Sequence, residues 1–157
     1  MKNKPALFFA LAILFLASPA VPSALCASSV RAVPIEEIDE LLFKGKGPIV
    51  VVGMASWCGP CKEELPDLIQ AYEELKDKGL KLYGLSIDFE GPAPMQTVAD
   101  AFGVTFPIYW GGEEAMRRFE LFPIPMTLFI RDGKIVQRVT GKSPKDQLET
   151  RLREFLR

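Results

Sequence analysis

Two cysteines with two residues between them, Cys58 and Cys61, are the side chains of this sequence best suited to chemistry. Thiolates attack disulfides through a mixed-disulfide intermediate, and a neighbouring thiol can then resolve that intermediate. A disulfide across so short a loop restricts the unfolded chain little, which makes a purely structural role weak. Zinc would need two further Cys or His ligands. Because the chain has no histidine and one other cysteine, Cys26, we expect no metal and no other cofactor.

The cysteine pair lies between a predicted strand and a predicted helix. Residues 49–54 are an unbroken apolar run, which is typical of a buried strand. Residues 59–78 have a helical period, with apolar side chains on one face and mostly acidic ones on the other. Cys58 thus falls at the amino end of a helix, where free N–H groups and the helix dipole lower a thiol pKa from about 8.5. A structural disulfide alone does not explain this placement.

The helix start predicts different roles for the two cysteines. We expect Cys58 to attack a substrate disulfide and form a mixed disulfide. Cys61, one turn further into the helix and more buried, is expected to attack Cys58 and release the reduced substrate. Gly59 and Pro60 set the turn, since proline fits a first helical turn where its missing N–H costs nothing.

The rest of the pattern predicts one small α/β domain in the order β-α-β, then α, then β-β-α. Asp132-Gly133 marks the turn of a hairpin, and Ser143 is predicted to cap the last helix. Helices are expected at 35–43, 95–102, 113–119 and after 143, and strands at 80–87, 106–110, 126–131 and 134–140.

The amino-terminal residues are typical of a signal peptide. Two lysines precede a run of twelve apolar residues, 6–17, and small residues follow. A spanning helix needs about 20 apolar residues, so we expect a cleaved leader rather than an uncleaved anchor. The predicted organisation is a signal peptide at 1–27, a linker at 28–34 and the folded domain at 35–157. The expected location is periplasmic or otherwise extracytoplasmic.

Composition and charge exclude other classes of function. The formal net charge is −1 and charges of both signs are mixed along the chain, so no basic surface for nucleic acid is expected. The absence of histidine removes every mechanism with a histidine base.

Two segments carry a resemblance to a known family. Residues 57–62, Trp-Cys-Gly-Pro-Cys-Lys, resemble the active-site motif of the thioredoxin superfamily, and the continuation to Pro66 resembles its exported TlpA-like branch of thiol-disulfide reductases. Residues 122–130, followed by the hairpin and Gly141, resemble the segment with the family's cis-proline. The resemblance covers residues 33–157. It implies a thioredoxin fold, that is, an α/β single domain with a central mixed β-sheet flanked by helices.

The resemblance also implies a substrate-binding surface around the cysteines. It implies that the Ile124–Pro125 bond is cis, packs against the disulfide and lies beside backbone that pairs with substrate chain. The alternatives are a trans Pro125, or Pro123 as the cis-proline. Trp57 is expected to shield the disulfide and shape the docking surface, or else only to cap the core. The predicted substrate-binding residues are Trp57, Gly59, Pro60, Ile124 and Pro125.

One departure from the family concerns proton transfer. Thioredoxins carry a buried Asp where this sequence has Val52, so another acid is needed for the proton of Cys61. Glu64 is our candidate, because it lies one turn beyond Cys61 and burial would raise its pKa. The alternative is a solvated helix residue. Asp88 and Glu90, after the second predicted strand of the β-α-β unit, are weaker candidates to line the site.

The expected activity is reduction of disulfides in exported proteins, through transient mixed disulfides, with electrons from an upstream membrane thiol donor. By the resemblance, substrates of cytochrome c maturation are expected, and Gly59-Pro60 and Ile124 resemble reducing thioredoxins. One alternative is an oxidase or isomerase. Another is a redox-inert module that binds extended chains. A thiol peroxidase is disfavoured because Ala55 occupies the position of the threonine that it requires.

Overall fold

The computed structural model describes residues 28–157, so the predicted signal peptide and Cys26 lie outside the described residues. One sheet of six strands forms the centre. The strands are β1 (Val30–Ala32), β2 (Pro48–Met54), β3 (Lys81–Ser86), β4 (Ile108–Trp110), β5 (Met126–Arg131) and β6 (Lys134–Thr140). The helices are α1 (Ile35–Asp39, continued by a π turn at Glu40–Lys44), α2 (Gly59–Leu75), α3 (Ala93–Phe102), α4 (Gly112–Arg118) and α5 (Lys145–Phe155).

The sheet is mixed, as the family resemblance implies. Its strand order is β1-β4-β3-β2-β5-β6. The pairs from β1 to β2 are parallel, and β2/β5 and β5/β6 are antiparallel. β2 lies in the middle and is buried from Ile49 to Met54, which explains its unbroken apolar run. The predicted hairpin is confirmed, with both strands at their expected bounds.

Helix α2 is anchored by its apolar face. Leu65, Leu68 and Leu75 are almost fully buried, while the acidic face is largely exposed. A short 3₁₀ turn at Lys76–Lys78 follows, and Gly79 ends it with a φ of +97°, which favours glycine. Because β2 runs directly into the loop before α2, the start of this helix lies at the carboxyl end of the central strand.

Two local predictions differ from the structure. Residues 28–34, predicted as a linker, include β1, in which Val30 is opposite Ile108 of β4. The Val30 N–H also donates to the Gln96 side chain at 2.7 Å. A three-residue edge strand is too short to give a period in sequence, and its partner is distant along the chain. Ser143 makes no side-chain cap, because Pro144 precedes α5 directly.

Within residues 28–157, no helix combines the length and the apolar character that crossing a membrane requires.

Candidate active site

Cys58 and Cys61 form a disulfide at the start of α2. Their sulfur atoms are 2.02 Å apart and their Cα atoms 5.3 Å apart. Cys58 is the N-cap residue, and its sulfur accepts a hydrogen bond from the Cys61 N–H at 3.2 Å. The placement predicted from sequence is therefore found, with Cys58 at the positive end of the helix dipole. The side chains are 5% and 3% exposed, so the expected difference in burial is small.

The turn between the cysteines is open to solvent. Gly59 and Pro60 are exposed and occupy the first two positions of α2. No atom lies within 4 Å of where a Gly59 side chain would start. Pro60 costs no helical hydrogen bond at this position. Within residues 28–157, no other part of the chain therefore crowds this side of the turn.

The sheet brings Pro125 to the same end of β2 as the cysteines. β5 runs antiparallel to β2 with Met126 opposite Gly53, so Pro125 lies level with Met54, the last residue of β2. The Ile124–Pro125 bond is cis, and so is the Phe122–Pro123 bond. Pro125 is buried and Ile124 half-buried, and the Pro125 carbonyl accepts a hydrogen bond from the Gly141 N–H at 2.8 Å.

Glu64 faces inward from α2. Its side chain is 1% exposed, and Oε1 accepts a hydrogen bond from the Ser143 N–H at 2.8 Å. Within residues 28–157, Oε2 has no hydrogen-bond partner. Burial raises the pKa of Glu64 above its ordinary value, and the Ser143 N–H and the charge of Lys142 oppose this in part. The alternative of a solvated helix residue is wrong, because the carboxyl is inside the protein.

Asp88 is a second buried carboxylate at this end of the sheet. It is 2% exposed and accepts hydrogen bonds from the backbone N–H and the hydroxyl of Ser56 and from the hydroxyl of Ser86. Asp88 is thus one of the candidates expected from sequence to line the site, but no sequence signal indicates its serine partners. The available signal was its place after β3, because the carboxyl ends of parallel strands meet at one edge of the sheet.

Two exposed aromatic rings stack beside the cysteine loop. The rings of Trp57 and Phe89 are 6.2 Å apart and 5° from parallel, and these residues are 51% and 65% exposed. With Ser56, Asp88, Glu90 and Pro94 they line a cavity of about 300 Å³. Trp57 thus does not simply cap the core. Sequence reasoning missed Phe89, since nothing in its local pattern separates it from a core residue.

A larger cleft of about 460 Å³ lies near the amino ends of β2 and β3, and its lining includes Ile49 and Lys81. Neither this cleft nor the smaller cavity has a cysteine in its lining, but the smaller one includes Trp57, which directly precedes Cys58. Among residues 28–157, no three Cys, Asp or Glu side chains are grouped to hold a metal ion.

Comparisons with known proteins agree with this geometry. The family model described as "AhpC/TSA family" matches residues 30–139. The thiol-disulfide oxidoreductase ResA of Bacillus thuringiensis subsp. konkukian is 31% identical over 115 residues, which are 72% of this chain and 65% of that protein. The chain thus spans just under two thirds of the length of this relative.

Solved structures give the fold. StoA from Bacillus subtilis is 25% identical with a TM-score of 0.60, over 68% of this chain and 83% of that one. A thiol:disulfide interchange protein of the thioredoxin family from Chlorobium tepidum superimposes with a TM-score of 0.63 over 73% of this chain and 82% of that one. At 23% identity this second likeness shows the fold alone. The chain therefore belongs to the AhpC/TSA family and has the thioredoxin fold that its sequence implies.

Proposed function

We propose that this chain is an exported thiol-disulfide oxidoreductase that reduces disulfides of extracytoplasmic proteins by dithiol–disulfide exchange. The observation that carries the proposal is the Cys58–Cys61 disulfide at the amino end of α2, where a helix stabilises a thiolate. The similarity to ResA, whose name states this chemistry, supports it.

The reaction begins with the reduced protein. The Cys58 thiolate attacks one sulfur of the substrate disulfide, the substrate S–S bond breaks, and the leaving thiolate takes up a proton. The Cys61 thiol then loses its proton and attacks the Cys58 sulfur. The mixed disulfide breaks and the second substrate thiol leaves. The protein dithiol has given two electrons and ends as the disulfide seen in the structure.

Glu64 is proposed to accept the proton from Cys61. It lies one helical turn beyond Cys61, and its Oε2 is free of hydrogen bonds to any part of residues 28–157. A carboxyl whose pKa is raised by burial exchanges protons closer to neutral pH than an ordinary one. Residues three apart share a helix face whereas residues two apart do not, so helical spacing and burial both favour this role for Glu64 over the exposed Glu63.

The substrate is proposed to be an extended polypeptide that carries a disulfide. Gly59 and Pro60 leave one side of the cysteines open, and Trp57 offers an exposed apolar face. On the other side, Ile124 and Pro125 supply the backbone that is proposed to pair with substrate. By the family resemblance, proteins of cytochrome c maturation are the substrates we expect.

Export and the electron supply complete the proposal. A leader at residues 1–27 would place the domain in an extracytoplasmic compartment, where disulfides form and persist. Since such a reductase ends each cycle oxidised, it needs a thiol donor, and the proposed one is a membrane protein that brings electrons from the cytoplasm.

The equilibrium reduction potential of the Cys58–Cys61 couple tests the direction of electron flow. We expect a value near that of thioredoxin, about −270 mV, when the purified protein is equilibrated with glutathione or thioredoxin. A value near that of DsbA, about −120 mV, would favour the oxidase alternative. A pair that does not exchange would favour the redox-inert binding module.

Trapping of the mixed disulfide tests the assignment of roles. In the Cys61→Ser variant, substrate should remain covalently attached to Cys58 and be released by added reductant. The Cys58→Ser variant is the matched control, which should trap nothing. Equal trapping by both variants would show that the roles are assigned wrongly.

A further inference from the structure

Asp88 is a buried carboxylate that the exchange reaction does not use. Three donors satisfy it: the Ser56 N–H, 3.1 Å from both oxygens, the Ser56 hydroxyl at 2.6 Å and the Ser86 hydroxyl at 2.7 Å. A carboxylate is costly to bury unless such hydrogen bonds compensate it. Two of these three donors come from one residue, Ser56, in the loop just before Cys58.

Asp88 is itself held by the sheet. Ser86, which donates to it, is the last residue of β3 and lies opposite Met54 at the end of β2. The Asp88 carbonyl accepts a hydrogen bond from the indole N–H of Trp110, at the end of β4, at 2.7 Å. Asp88 therefore links the loop of Cys58 to the end of β3 through its carboxylate and is tied to the end of β4 through its carbonyl.

The residues that follow Ser56 and Asp88 in the sequence also contact each other. Phe89 follows Asp88, Trp57 follows Ser56, and their rings stack nearly parallel. Two consecutive residues after β3 thus hold two consecutive residues after β2, one pair by hydrogen bonds and one by aromatic contact. Both rings remain more than half exposed, and exposed aromatic rings of this kind are enriched where polypeptides bind.

We infer that Asp88 is a positioning residue, which holds Ser56 so that Trp57, stacked on Phe89, forms a rigid docking face for the polypeptide segment beside the substrate disulfide. The inference rests on the proposed exchange reaction. Trp57 directly precedes Cys58, so a chain that brings its disulfide to Cys58 passes this face. A side chain that is already fixed loses less entropy on binding, and freeing one such side chain weakens binding by about two- to tenfold.

Two serine variants give a matched test. Ser56→Ala and Ser86→Ala each remove one hydroxyl that donates to Asp88, but only Ser56 belongs to the loop of Cys58. Asp88→Asn removes the charge and keeps one acceptor. Steady-state reduction of insulin measures docking of a polypeptide, and reaction of the reduced protein with oxidised glutathione measures the thiol chemistry alone.

We expect Asp88→Asn and Ser56→Ala to raise the KM for insulin by about two- to tenfold, with kcat and the glutathione rate unchanged. Ser86→Ala should leave the KM as in the wild type. Equal KM values for the two serine variants would overturn the inference. If Asp88→Asn does not fold, the comparison of Ser56→Ala with Ser86→Ala still tests the inference.

A measurement without turnover separates this inference from the proposed function. In the NMR spectrum of the wild type, ring-to-ring NOEs should join Trp57 and Phe89, and the Ser56 amide should exchange slowly. Ser56→Ala should weaken those NOEs while Ser86→Ala preserves them. If the wild type does not reduce insulin, the NOEs decide the role of Asp88, while the reduction potential and the trapped mixed disulfide decide the proposed function. NOEs that persist in both Ser56→Ala and Asp88→Asn would refute it.

Discussion

Reduction of the Cys58–Cys61 disulfide should lower the free energy of unfolding by a small amount that follows from the loop it closes. The sequence separation is 3, so the loop contains four residues. The chain-entropy relation predicts that closing such a loop with a disulfide raises the free energy of unfolding by about 2 kcal/mol near room temperature. In the reduced protein, the amino end of α2 stabilises a Cys58 thiolate by about 0.3–1 kcal/mol, which offsets part of that loss. The expected net difference is about 1–2 kcal/mol in favour of the oxidised protein.

This difference in stability is also a difference in reduction potential. For a two-electron couple about 30 mV corresponds to 1.4 kcal/mol, so folding should make the couple about 20–40 mV more reducing than in the unfolded chain. The sign follows because a fold that favours the disulfide resists its reduction. A reductase needs a fold that stabilises the disulfide form, whereas in a strong oxidant the fold stabilises the reduced form.

Guanidinium unfolding with and without excess reductant measures the difference. The Cys58→Ala/Cys61→Ala double variant is the control, since reductant should not change its unfolding midpoint. A reduced protein that is more stable than the oxidised one would refute the reasoning, because stabilisation of the thiolate would then outweigh loop closure and the couple would be oxidising.

Two further predictions concern buried positions. Because burial raises the Glu64 pKa above 4.5, the native state holds this proton more tightly than the unfolded chain, and the wild type loses stability as pH rises from 4.5 through the raised pKa. The free energy of unfolding of Glu64→Gln, measured against pH, should not show this loss, whereas the exposed Glu114→Gln control should show it. If the free energy of unfolding of Glu64→Gln falls with pH in parallel with that of the wild type, the raised pKa does not belong to Glu64. Gly84→Ala should cost about 1–3 kcal/mol, because a Cβ there would lie 2.9 Å from Ile108 Cγ1. Ile108→Ala should then cost less in the Gly84→Ala variant than alone, and additive costs would show that the two positions do not clash.

Much of the scaffold is predictable from sequence because it rests on local patterns. The strand predicted from the apolar run of β2, the helix predicted from the sustained helical period of α2 and the hairpin predicted from Asp132-Gly133 all appear at their expected places. The position of Cys58 at a helix start follows from the first two of these. The inward direction of Glu64 is also predictable, since it follows from helical spacing relative to Leu65 and Leu68.

Predictions failed where the partner is distant along the chain. β1 forms by pairing with β4, in which Ile108 lies opposite Val30. A three-residue segment is too short to show a strand period in the sequence. Ser143 has the residue type of a cap, but its amide instead binds Glu64, 79 residues away. Local propensity is a weak signal, and a tertiary hydrogen bond to a buried carboxylate overrides it.

The sequence by itself determined the chemistry of this protein: a cysteine pair at a strand-to-helix junction, with no histidine to support another mechanism. The tertiary structure decided what surrounds that pair. Ser56 and Asp88 are 32 residues apart, and so are Trp57 and Phe89, yet the parallel pairing of β2 with β3 brings both pairs together. The physical reason is that the thiol chemistry depends on spacing within one helical turn, whereas the proposed docking face depends on the register between two strands.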